Sequence, residues 1–142
     1  MLENKHAEWA WVTLLSAWTV AMLSTLGSLF FSEFMEFIPC TLCWYQRIAM
    51  YPLIVILAID IMMPNKSNLM YATPFVMLGW LMALYHNMIH YGIISESASP
   101  CVQGIPCSTK YIEWLGFITI PMLSFIAFSL IAILLFTAKT KG

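Results

Sequence analysis

The sequence predicts an all-α membrane protein: a single-domain bundle of four transmembrane helices with both termini in the cytoplasm. Charge is scarce, at 9% of the 142 residues against about 25% in an average soluble domain, and 61% of residues are apolar. The scarcity is concentrated in blocks of bilayer length, 24 uncharged residues from Trp9 to Ser32 and 25 from Trp114 to Ala138. At about 1.5 Å of rise per residue, either block makes a helix that crosses a hydrocarbon core of about 30 Å. An ordinary water-soluble globule is excluded. With 6 basic against 7 acidic residues there is no basic surface on which nucleic-acid binding could rest.

The first span covers 9–32. It is too long for a signal-peptide core, follows a mixed-charge start (Glu3, Lys5, Glu8) and lacks a small-residue cleavage pattern, so it reads as a retained helix. The second span, 43–63, is less clean, because Arg47 and Asp60 sit about one turn from its opposite ends. Long side chains near helix ends snorkel to the interface, so both charges are expected to be tolerated there without a buried ion pair. The third span covers 69–91, within an uncharged stretch from Ser67 to Ser95, and the fourth covers 114–138. Pro52, Pro74 and Pro121 fall inside spans, where membrane helices accept them if neighbours satisfy the freed carbonyls. The 11 methionines and many aromatics read as lipid-facing or packing residues, with no cofactor implied.

A short polar turn at Pro64–Asn68 joins spans two and three as antiparallel neighbours. The two longer connections, 33–42 and 92–113, must then share the side opposite the termini. Lys5, Lys66, Lys139 and Lys141 fall on the termini side, against Lys110 and Arg47 on the other. The positive-inside rule therefore puts the termini in the cytoplasm and both long connections outside.

All 4 cysteines fall on that outer side, Cys40 and Cys43 at the entry to span two, Cys101 and Cys107 in the second long connection. Disulfides persist outside the cytoplasm, so two bridges are expected, with three connectivities open; the local one pairs Cys40 with Cys43 and Cys101 with Cys107. Three readings compete: redox-active pairs, structural staples, or a tetrathiolate zinc site. Rings this small gain less than the roughly 3 kcal/mol of a 15-residue loop, so locally paired cysteines are poor staples. Five residues between Cys101 and Cys107 do not give the usual zinc-knuckle spacing, and no metal is expected.

Placement favours redox chemistry. Cys43 stands at a helix start, where unpaired N–H groups and the positive end of the macrodipole favour an anion. Arg47 is four residues further on, on the same helix face. Both stabilise a thiolate, the nucleophile of disulfide exchange. Arg47 as a mere interfacial anchor is the competing reading. His86 and His90 lie in the last two turns of span three, at the same membrane face. His90 reads as simply solvated, and His86, one turn deeper, is better placed to face a buried ligand.

The run Pro39-Cys40-Thr41-Leu42-Cys43-Trp44-Tyr45-Gln46-Arg47-Ile48-Ala49-Met50-Tyr51-Pro52 resembles the signature of the DsbB disulfide-bond formation family, most closely its short bacillus-type BdbC branch. The likeness continues in Tyr85-His86-Asn87-Met88, in the second cysteine pair, and in Trp114-Leu115-Gly116 with Pro121, covering nearly the whole chain. The DsbA–DsbB–quinone chain keeps the bacterial periplasm oxidising. The resemblance thus implies a multi-pass protein of the bacterial cell membrane with its active cysteines on the extracytoplasmic face. Its expected activity is a quinone-dependent thiol-disulfide oxidoreductase that reoxidises a thioredoxin-like, DsbA/BdbD-type thiol oxidase.

Carried over residue by residue, the resemblance makes Cys101 the sulfur attacked by the reduced partner. Cys107 then exchanges with Cys40, and electrons leave through Cys43 to quinone. Arg47 and His86 are the expected quinone-binding residues, stabilising its reduced, anionic form. Likeness to the Gram-positive branch favours menaquinone over ubiquinone. The second pair lacks room for the amphipathic helix that longer members carry between its cysteines. Nine residues from Gly92 to Cys101 give a reach of roughly 30 Å if extended, enough to carry sulfur from partner to membrane edge.

Two other functions remain in view. A vitamin K epoxide reductase-like quinone reductase also has four helices with membrane-edge cysteines, but its quinone-active Cys-x-x-Cys is expected on the last span, and span four here has no cysteine. The non-enzymatic alternative is a disulfide-stapled membrane subunit.

Overall fold

The computed structural model describes residues 2–36, 41–63, 65–95 and 119–141. They form four helices, α1 (Leu2–Glu33), α2 (Thr41–Met62), α3 (Lys66–His90) and α4 (Ile120–Lys141), with no strand among the described residues. Each is long and apolar enough to cross a membrane. The helices start and stop within a few residues of the expected spans, apart from α1, which extends back through the charged N-terminal segment, and α4, which begins at Ile120. Residues 114–118 of the expected fourth span lie outside the described residues. Pro121 consequently sits in the first turn of α4, where its missing N–H has no intrahelical role. Pro52 and Pro74 do lie inside helices.

Local chemistry fixes the ends of α3. Asn65 is extended and its side chain accepts the Ser67 N–H at 3.1 Å, a helix N-cap. At the other end Gly92 takes φ +76°, and the Gly92 and Ile93 N–H groups donate back to the Ile89 and Met88 carbonyls at 3.0 and 2.9 Å. This double closure is a Schellman motif, and the left-handed residue in it favours glycine.

Neighbours pack in the cyclic order α1, α2, α3, α4 and back to α1. They are antiparallel: the start of α2 meets the ends of α1 and α3, through Arg47 with Ser28 and Gln46 with His86, and the end of α3 meets the start of α4, through Asn87 with the Pro121 carbonyl. Small residues line the buried seam, with Ala17 and Ala21 of α1, Ala72 and Ala83 of α3 and Ala127 of α4 letting backbones approach closely. Gly79 completes it: a Cβ there would overlap the Phe128 ring. Large apolar residues such as Leu23, Val55, Met70 and Phe136 stand exposed on the outside, as the sequence predicts for lipid-facing positions.

The expectation that Arg47 and Asp60 snorkel to the interface is not met. They are 9% and 2% exposed, buried inside the bundle, and they do not pair with each other. Arg47 is held by Ser28 of α1, and Asp60 accepts the N–H of Asn65, the residue that caps α3.

Candidate functional site: the entry of helix α2

The site is built on the first two turns of α2. Cys43 is the third residue of that helix, among the N–H groups that have no intrahelical acceptor, and it is half-buried. It stands beside a small apolar cluster of Leu42 and Ile89 with Met82, Tyr85 and Ile94, which ties the entry of α2 to the last turns of α3. One turn below, Arg47 reaches across to α1. Its Nε donates to the Ser28 hydroxyl and its Nη2 to the Ser28 carbonyl, both at 2.9 Å. The guanidinium also lies over the Trp44 ring, 5.4 Å from its centroid. The charge is thereby held in one orientation, and the Nη1 side of the fork is left for another acceptor.

His86, 2% exposed, faces Gln46, 6% exposed, with the Gln46 Nε2 and His86 Nδ1 atoms 3.2 Å apart. Successive residues of α2 thus bind opposite neighbours, Gln46 to α3 and Arg47 to α1. His90 is half-buried against Tyr91, ring centroids 5.5 Å apart. Between α2 and α3 an apolar groove of about 330 Å³ opens along Leu42, Tyr45, Leu78, Leu81, Met82 and Tyr85.

Of the residues picked out in the sequence, Cys43, Arg47 and His86 converge on this end of the bundle. Cys40, Cys101 and Cys107 lie outside the described residues. Sequence reasoning missed Ser28 and Gln46. The signal was present for both: a polar side chain in an apolar span needs a partner on a neighbouring helix, and these two stand at the level of Arg47.

Residues 8–138 match the family model described as disulfide bond formation protein DsbB. The chain belongs to the DsbB family. It is 45% identical over 131 residues to the disulfide bond formation protein C of Bacillus subtilis (strain 168), covering 92% of this chain and 94% of that protein. A probable disulfide formation protein C 2 of Bacillus cereus (strain ATCC 10987 / NRS 248) is 46% identical over 125 residues, 88% and 89% of the two chains. A probable disulfide formation protein C of Halalkalibacterium halodurans is 43% identical over 120 residues, 84% and 88% of the two chains. No solved structure matches the chain. As a DsbB-family protein with four spanning helices, it is a multi-pass membrane oxidoreductase of disulfide-bond formation.

Proposed function

We propose that this DsbB-family protein oxidises an extracytoplasmic, thioredoxin-like thiol oxidase of the DsbA/BdbD type and passes the electrons to membrane quinone, menaquinone in preference to ubiquinone. The observation that carries the reading is the pairing, one turn apart on α2, of a half-buried cysteine at the helix start with a buried, immobilised guanidinium. Both termini are cytoplasmic in this reading, and the four cysteines face outward.

The residues fit a quinone. Arg47 keeps its Nη1 donors uncommitted for an anionic oxygen, and on the α3 side of the same helix entry a mainly apolar groove, which Arg47 and His86 do not line, could take an aromatic, lipid-soluble molecule. When bound, a quinone accepts the two electrons and two protons that a dithiol releases on closing to a disulfide. Cys101 forms a mixed disulfide with the partner, whose second thiol then displaces it, leaving the partner oxidised and the Cys101–Cys107 pair reduced. Cys107 and Cys101 hand the same two electrons to the Cys40–Cys43 disulfide by a second exchange. Cys43, held as a thiolate by the helix start and by Arg47, is the sulfur from which they leave the protein. Arg47 and His86 would be the residues that hold the quinone.

The test is turnover of the full chain in lipid nanodiscs, with a reduced thioredoxin-fold thiol oxidase as donor and a water-soluble naphthoquinone as acceptor. Cys43→Ser is expected to abolish quinone reduction, and unchanged turnover in that variant would refute the scheme. A reduced partner that lacks its second active-site cysteine attacks the Cys101–Cys107 disulfide, releases Cys107 as a thiol and cannot displace Cys101, so it should strand the Cys101 mixed disulfide, visible as a partner-sized shift on non-reducing gels.

A further inference from the structure

Arg47 is placed to leave the bundle. It is the only arginine of the chain, it stands in the second turn of α2, and helical side chains lean toward the start of their helix, so its stem is aimed at the outer interface. Long cationic side chains so placed carry their charge out to water and to lipid headgroups, whose phosphates bind a guanidinium through paired hydrogen bonds. This guanidinium stays buried. Ser28 accounts for where it is held, but not for what keeps the headgroups from competing for it.

The residue in the way is Trp44. It lies three positions before Arg47, on the side toward which the arginine stem leans, and its ring centroid is 5.4 Å from the guanidinium carbon. The indole itself is 50% exposed, and it leads the outward row of α2 that continues through Ile48, Tyr51, Val55 and Ile59, all of them exposed. The ring therefore has the cation on one side and the membrane surface around the rest. Its electron-rich face supplies part of the solvation that a snorkelling cation finds in water.

We propose that Trp44 is a positioning residue that screens Arg47 from the lipid headgroups, so that the guanidinium stays turned inward with its Nη1 side open near Cys43. A tryptophan that served only to anchor α2 at the interface would have no bearing on the arginine. The screen itself is independent of the acceptor. Only the functional half, that the screened charge serves a quinone, rests on the reading proposed above.

A single arginine makes the screen measurable. The full chain, labelled with ¹⁵N-arginine and reconstituted without quinone in nanodiscs of mixed phosphatidylglycerol and phosphatidylcholine, gives one side-chain Nε–H signal. Hydrogen exchange at that signal reports how often the bond to Ser28 opens to water. Trp44→Leu is expected to speed the exchange about tenfold, the size of one desolvated cation–π contact, and Trp44→Phe, which keeps an aromatic face, to speed it by less. Trp11→Leu removes an exposed indole at the opposite end of the bundle and should leave the exchange unchanged. With a water-soluble naphthoquinone, kcat/KM of Trp44→Leu should fall as phosphatidylglycerol replaces phosphatidylcholine, while the unsubstituted protein holds its value. Unchanged exchange in Trp44→Leu would overturn the proposal, as would equal acceleration by Trp11→Leu or turnover of Trp44→Leu that ignores lipid charge. Faster exchange in Trp44→Leu, together with no quinone reduction by the unsubstituted protein, would uphold the screen and overturn the quinone reading, because the exchange is read without quinone.

Discussion

The two ends of α2 each carry one charged residue inside the bundle, and they are treated in opposite ways. At the entry, Arg47 has two hydrogen bonds to Ser28, a ring beneath it and a cysteine one turn above. At the exit, Asp60 accepts one hydrogen bond, from the Asn65 N–H at 3.2 Å, while its buried Oδ2 has no hydrogen-bond partner. Burying a charge is costly unless it is paired and hydrogen-bonded, so a guanidinium anchored by two hydrogen bonds with one side of its fork still open differs in kind from a carboxyl with a single hydrogen bond. The first is a charge held at a defined point. The second closes the turn that leads into α3, through the residue that caps that helix.

The largest effect that would break this contrast is at Arg47. Arg47→Met fills similar volume without charge and is expected to lower quinone reduction by about 10- to 100-fold, the range of a charge-assisted hydrogen bond, while the protein still inserts and folds. Arg47→Lys should recover only part of the loss, because an ammonium cannot make the forked contact with both oxygens of Ser28. Activity of Arg47→Met within twofold of the unsubstituted protein would reduce the arginine to a strut between α1 and α2.

How far such a contrast is legible in sequence depends on what fixes it. The four spans and the Cys43-to-Arg47 spacing follow from charge gaps and helix period, and both reappear in the structure. The setting of each helix about its own axis does not follow. α1, α3 and α4 are apolar on nearly every side, so hydropathy does not mark the face that packs; the faces are chosen by small residues such as Ala17, Ala21 and Ala83 and by the fit of Phe128 over Gly79. Partners on neighbouring helices depend on that rotation, which is why Ser28 and Gln46 were not identified. Asp60 and Arg47 look alike for the same reason: both stand about a turn from a span's end, and only the identity of the facing helix tells them apart.

An intermediate effect sharpens the picture at the entry. Ser28→Ala removes the hydroxyl that accepts from Arg47 Nε but leaves the Ser28 carbonyl that accepts from Nη2. The guanidinium then keeps its charge and half its anchorage. Loss of one such hydrogen bond is worth about 1 kcal/mol, or roughly fivefold, and it should show as a fall in kcat/KM for quinone with little change in the rate of exchange with the thiol partner. Equal loss in both half-reactions would mean that Ser28 supports the bundle and not the orientation of Arg47.

The smallest effect is expected at Asp60, and it tests the other half of the contrast. Asp60→Asn keeps an oxygen that can accept the Asn65 N–H, and it exchanges an unpartnered carboxylate oxygen for an amide that carries no charge. Stability should therefore change by less than about 1 kcal/mol, with no loss of quinone reduction, since α2 places Asp60 thirteen residues and about 20 Å along the helix from Arg47. Asp60→Leu, by contrast, removes the acceptor. It should lower the thermal midpoint slightly while leaving turnover intact, because Asn65 is exposed and its N–H can turn to water. The apolar residues between the two charges, Met50, Leu53 and Leu57, offer no polar path along the buried face of α2. If Asp60→Asn slowed quinone reduction as Arg47→Met does, the two ends of α2 would be coupled through that apolar core, and the carboxyl would have a part in proton or electron traffic that its single hydrogen bond does not suggest.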